Sequence, residues 1–152
     1  DLTKQSKRDY PSFIEATRRV LIATRLPYVI ENVEGSPLVN PVKLCGTMFP
    51  ELRVIRHRIF ETNWGLWAPE KCNPHPLCFT HDKRKAHYGK LDDMKAFVQV
   101  TGGGNCSIAA ARDAMKISWM NKRELNEALP PAYTRFIGRQ LMNHIQSQRL
   151  AA

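Results

Sequence analysis

The chain has 152 residues, enough for one domain that buries most of its apolar surface, and at 43% hydrophobic and 24% charged it is expected to fold. A formal charge of +9 favours a polyanionic partner, nucleic acid first, over a merely basic surface. No apolar run approaches the ~20 residues of a membrane span, no signal-peptide pattern is present, and the cysteines are expected as reduced thiols in a cytoplasm, which sets aside membrane-spanning and disulfide-scaffold classes.

The segment DLTKQSKRDY, residues 1–10, is polar and charged and opens on Asp1 rather than Met, so it reads as cut from, or following, a longer polypeptide. Ser12 followed by Glu15 is a capping-box signature and predicts a helix over 12–25. Its apolar stripe is Phe13, Ala16 and Val20, with Ile14 and Leu21 beside it. Leu26-Pro27 ends the helix, and YVIENV, residues 28–33, is the first expected strand. A helix leading straight into a buried strand indicates an α/β unit. GSPLVNP, residues 35–41, is a turn-rich connector; VKLCG, residues 42–46, predicts a short strand. RVIRHRIFE, residues 53–61, predicts a longer strand with Val54, Arg56, Arg58 and Phe60 on one face.

From Trp64 to Lys90 periodicity gives way to prolines, histidines, cysteines and basic residues, the composition of loops or a small inserted module. AFVQV, residues 96–100, is a short strand running into TGGGN, residues 101–105. Ser107 is placed to cap a helix through Met115, and Asn121 with Glu124 forms a second capping-box pattern before a short helix. Pro130-Pro131 opens a final helix carrying Phe136, Ile137, Leu141 and Ile145 on one side.

Four groups of residues could carry chemistry. Glu31-Asn32 stands at the carboxyl end of a strand, where α/β sheets bind ligands. A carboxylate in a buried strand is costly unless it is paired or does chemistry; the alternative is a strand end whose polar residues reach solvent. Arg56 and Arg58, two apart on a strand, share a face and could converge on one anion or carbonyl oxygen, or else act as basic gatekeepers on an exposed edge. His57 faces the other way and reads as a packing or surface residue.

Cys72, His75, Cys78 and His81 follow at spacing C-x2-H-x2-C-x2-H. Thiolate and imidazole suit zinc, but this is not a common two-knuckle spacing, and Pro74 and Pro76 stiffen it. Free thiols and surface histidines are the first reading and structural zinc the alternative. Lys83, Arg84, Lys85 and Lys90, with His87 and Tyr88, suit phosphate contacts beside a stacking residue, or form a charged surface loop. TGGGN lacks the spacing of a dinucleotide loop or a P-loop and reads as a flexible turn, and Cys106 has no base near it in sequence to make it a nucleophile.

In order, these segments resemble the C-terminal portion of a DNA cytosine-5 methyltransferase of the phage and bacterial type. VIENV resembles that family's ENV motif, IRHRIFE its R-x-R motif with Val54 where glutamine is typical, and ISWMNKRELNEALPPAYTRFIGRQL its C-terminal region. The resemblance implies an α/β fold: the C-terminal part of an S-adenosylmethionine-dependent, Rossmann-like methyltransferase sheet over 1–62, a target-recognition region over 63–106, and a helical segment packing back over 107–152.

It also implies the function, methyl transfer from S-adenosylmethionine to C5 of a cytosine flipped out of duplex DNA. Glu31 would donate to N3, with its pKa raised by a buried strand end; Asn32 would hold the local backbone; Arg58 would contact the base O2; and Arg56 would order the site. Lys83, Arg84, Lys85, Tyr88 and Lys90 would contact the DNA. The family's glycine-rich cofactor loop and Pro-Cys-Gln nucleophile motif are not in this chain, and residues 1–10 resemble the stretch just after that cysteine. The implied partner is duplex DNA, in the cytoplasm of a bacterial or phage-infected cell; both motifs belong to the upstream part of a longer enzyme or to a separate N-terminal polypeptide, or the chain is a degenerate homologue, and in isolation it is expected to be inactive. Restriction, protection from restriction and regulation are all open as the setting of the methylation. A non-catalytic DNA-binding remnant or subunit is the alternative, and a zinc-stabilised nucleic-acid-binding domain a third reading.

Overall fold

Residues 33–41 carry the chain from the first strand to the second, which run in the same direction on either side of the third. In the computed structural model, which describes residues 13–73, 78–79, 88–89, 97–100 and 106–150, β1 (Val29–Asn32), β2 (Val42–Leu44) and β3 (Arg58–Thr62) form an open sheet in the order β1-β3-β2. Both outer strands run antiparallel to β3: Glu31 lies opposite Phe60 and Asn32 opposite Ile59, while Val42 lies opposite Phe60 and Leu44 opposite Arg58. Together with the four α-helices among the described residues this makes the chain a mixed α/β protein whose described three-strand sheet is antiparallel.

The long strand expected over 53–61 is divided. Val54 makes an isolated parallel bridge to Val98, with Ile55 N–H donating to Val98 O at 2.9 Å and Val98 N–H to Arg53 O at 2.8 Å. The chain then leaves that pairing and resumes at Arg58 as β3. Two sets of backbone partners compete for one continuous segment, and the change of partner falls at Arg56 and His57. Gly46 shows how closely the neighbouring turn approaches this segment: a Cβ there would lie 1.9 Å from Val54 O, so only glycine fits.

Helix α1 (Ile14–Ala23) contributes no buried residue. The stripe Phe13, Ala16 and Val20 faces outward, with Phe13 71% and Val20 67% exposed, whereas Ile14, Arg18 and Leu21 turn inward. The rotation is set by polar contacts. Arg18 donates from Nε to Glu61 Oε1 at 2.6 Å and from Nη2 to Glu61 Oε2 at 2.9 Å, and again from Nη2 to Pro37 O at 3.0 Å. An Arg–carboxylate fork of this kind fixes orientation as well as contributing energy. Ser12, the expected cap of this helix, lies outside the described residues.

Local signals shape the second half. Ser107 Oγ accepts from Ala110 N–H at 3.1 Å and starts α2 (Ile108–Met115), which ends at Lys116 with a left-handed φ of 57°. Asn121 and Glu124 form a reciprocal capping box at the head of α3 (Lys122–Glu127). Pro131 opens α4 (Pro131–Leu150).

Leu44, Leu52, Val54, Phe60, Met115, Ile117, Leu125 and Tyr133 form the centre of the core, all at 2% exposure or less. Each such side chain contributes roughly 1.5–3 kcal/mol by leaving water. Tyr133 of α4 stacks on Phe49 at 5.1 Å and meets Phe60 of β3 edge-on at 6.4 Å, which ties the last helix to the sheet. In the region expected to be loop-like, β4 (Cys78–Phe79) and β5 (Tyr88–Gly89) pair in parallel. Among the described residues, no helix is long and apolar enough to cross a membrane.

Candidate active site

The antiparallel register of β1 and β3 puts Glu31 opposite Phe60, and Arg58 two residues from Phe60 on the same face. Arg58 Nε therefore reaches diagonally to Glu31 Oε1 at 2.8 Å. Arg58 Nη1 also donates to the carbonyl of His57 at 2.9 Å, which fixes the plane of the guanidinium. The pair lies at the surface, with 35% of the Glu31 side chain and 19% of the Arg58 side chain exposed. Glu31 is thus paired and accessible, where a buried strand end was expected. The reason is its place on β1, an edge strand of the sheet.

Arg56 takes a different course. It is 5% exposed and donates to Val100 O at 2.9 Å and Asn126 O at 2.7 Å, so it joins the segment after Val98 to the end of α3. Its carbonyl accepts the Tyr133 hydroxyl at 2.6 Å. Burial first, and then the neighbouring Arg58 charge, push its pKa down to about 10, while Glu31 pulls it up. Convergence of the two guanidinium groups on one ligand does not occur, because the change of pairing partner between Val54 and Arg58 breaks the two-residue alternation. Arg56 is placed to position the segment that carries Arg58.

Asn32 Oδ1 accepts from the backbone N–H of Val33 at 2.8 Å and closes the strand end locally. The fully buried carboxylate of the sheet is Glu61, at 2% exposure. Besides Arg18, it accepts from Val39 N–H at 2.7 Å and Tyr28 Oη at 3.4 Å. The hydrogen bond from Arg18 holds it below the usual carboxylate range, against desolvation. Glu61 escaped the sequence reading, although its place beside the strand pair Ile59-Phe60 was a signal that it would be enclosed.

His57 is not a bystander. Its Nδ1 lies 2.9 Å from Glu34 Oε2 and its Nε2 3.4 Å from Cys72 Sγ. Among the described residues, Cys45, His57 and Cys72 bring metal-ligating atoms together within 4.8 Å. Of the expected set, only Cys72 belongs to this group: His75 and His81 lie outside the described residues, and Cys78 is described only as part of β4. Lys83, Arg84, Lys85 and Lys90 also lie outside them, as does the glycine turn 101–105, and Tyr88 is described only as part of β5.

Two open cavities are lined by Arg112, Lys116 and their neighbours on α2, and by Gln146, Arg149 and Leu150 at the end of α4; neither is lined by Glu31 or Arg58.

Compared with known proteins, the chain matches no family model, no curated protein and no solved structure.

Proposed function

We propose that the Glu31–Arg58 pair is the base-activating element of a DNA cytosine-5 methyltransferase, and that this chain is its C-terminal part. The observation that carries this reading is the 2.8 Å contact between a strand-end carboxylate and a guanidinium at an accessible surface. Cytosine presents two acceptors side by side, N3 and O2. A carboxyl group and a guanidinium held side by side can address both atoms at once.

The chemistry asks for that match. When a thiolate adds to C6, electron density moves onto N3 and O2 of the ring. Glu31 delivers a proton at N3 as that charge develops, and Arg58 donates to O2, so both stabilise the adduct more than the resting base. Arg56 acts behind them by holding the backbone at Val100 and Asn126. The nucleophile and cofactor loop come from a separate segment, which completes a Rossmann-like sheet alongside edge strand β1. Exposed apolar residues support that arrangement: Phe13, Val20 and Leu26 precede β1 in the chain, and Val33 and Val39 follow it.

A second reading, a DNA-binding remnant without catalysis, is favoured by the formal charge of +9, which suits a polyanionic partner whether or not chemistry follows. Co-expression with a segment carrying a glycine-rich loop and a Pro-Cys-Gln motif separates the two. Methyl incorporation into DNA that disappears with Glu31→Ala supports the enzyme; salt-sensitive DNA binding without incorporation supports the remnant.

A further inference from the structure

We propose that Cys45, His57 and Cys72 form a binding site for a thiophilic divalent cation, with zinc the favoured ion. The inference is independent of the methyltransferase reading. Three separated segments supply the donors: Cys45 just after β2, His57 just before β3, and Cys72 in the stretch beyond Trp64.

The spacing matches tetrahedral coordination. With Zn–S about 2.3 Å and Zn–N about 2.0 Å, a tetrahedral ion holds its donors roughly 3.5–3.8 Å apart. His57 Nε2 and Cys72 Sγ are 3.4 Å apart, and all three ligand atoms lie within 4.8 Å of one another. Small side-chain adjustments would place an ion among them. Two sulfurs and an imidazole select zinc and similar soft or borderline ions over magnesium or calcium. The fourth tetrahedral position is left for water or a further donor.

The surroundings orient the ligands as metal sites require. Glu34 Oε2 accepts a hydrogen bond from His57 Nδ1–H at 2.9 Å, which leaves the Nε2 lone pair facing Cys72. Glu34 is itself held by Lys43 Nζ at 3.4 Å from its other oxygen. Thr47 Oγ1 lies 3.3 Å from Cys45 Sγ and 3.6 Å from Cys72 Sγ, and accepts from Asn73 N–H at 3.1 Å. A carboxylate behind the histidine and a hydroxyl between the sulfurs make a second layer of contacts that a chance meeting of thiols would lack.

The consequence is mechanical. His57 stands between Arg56 and Arg58, so an ion here pins the turn at Gly46, the segment carrying both arginines and the stretch leading to β4.

The test is metal analysis of the full chain expressed with zinc and purified under reducing conditions, followed by cobalt(II) titration of the metal-free protein. The expected result is about one zinc per chain and a thiolate-to-cobalt charge-transfer band with tetrahedral d–d absorption. Cys72→Ser and His57→Asn, both at partly exposed positions, should lose the ion even if the buried Cys45→Ser variant fails to fold, whereas Cys106→Ser should keep it. Glu34→Gln should weaken cobalt affinity roughly 10–100-fold. Zinc well below one equivalent without a cobalt band, a Cys45–Cys72 disulfide in the reduced preparation, or binding that survives both Cys72→Ser and His57→Asn would overturn the proposal.

Discussion

Arg58 reaches across from β3 to meet Glu31 of β1 at 2.8 Å, while Arg56, two residues earlier, turns into the core and binds backbone carbonyls. One arginine stands in an accessible ion pair and the other is committed to the core. Substitutions should therefore separate them.

Arg56→Ala removes a buried cation and leaves Val100 O and Asn126 O without their donor. Each buried carbonyl left without its donor costs about 1–3 kcal/mol. The denaturation midpoint should fall steeply, and Arg56→Lys should recover only part of it, since an ammonium lacks the fork that spans both carbonyls.

Glu31→Gln should behave in the opposite way. A partly exposed ion pair contributes only about 0–1 kcal/mol, so the unfolding curve should barely move. A stability loss comparable to that of Arg56→Ala would show that Glu31 serves the fold instead.

The Arg18–Glu61 fork makes a pH prediction. The folded state holds Glu61 below its ordinary value of 4.5, so between the two values the unfolded chain binds more protons. Its contribution is present above the unfolded value and is lost as pH falls through the folded one. Stability measured against pH should decline in the range below about 4.5, and Glu61→Gln should flatten that decline. Amide exchange over 14–23 should accelerate in the same variant, since α1 has no buried residue to hold it otherwise.

Gly46→Ala should be severe. The new Cβ would meet the Val54 carbonyl oxygen at 1.9 Å, a backbone atom that cannot swing away. A cost on the order of 3 kcal/mol or more is expected, read as a loss of folded protein at ordinary temperature.

What could be read from the sequence was governed by the range of the interaction. The caps at Ser107, Asn121 and Pro131 act within a few residues, and each helix starts where its cap stands. Glu31 and Arg58 were legible as site candidates because strand periodicity and strand-end position are local properties. The rotation of α1 was not, because an apolar stripe gave way to the Arg18–Glu61 contact across 43 positions. The divergence of Arg56 from Arg58 depended on Val98 claiming Val54, and the meeting of Cys45, His57 and Cys72 on three folded segments. Zinc spacing counted along the chain looks for ligands close in sequence, and these are close only in space.

The most direct test of the central claim is methyl incorporation at C5 of cytosine in duplex DNA, with this chain co-expressed beside a segment carrying the glycine-rich loop and the Pro-Cys-Gln motif. The account predicts incorporation by the wild-type chain and a fall on the order of 10²–10⁴-fold in Glu31→Gln, with folding intact. Incorporation unchanged in Glu31→Gln, or DNA bound with no methyl transferred by the wild type, would contradict it.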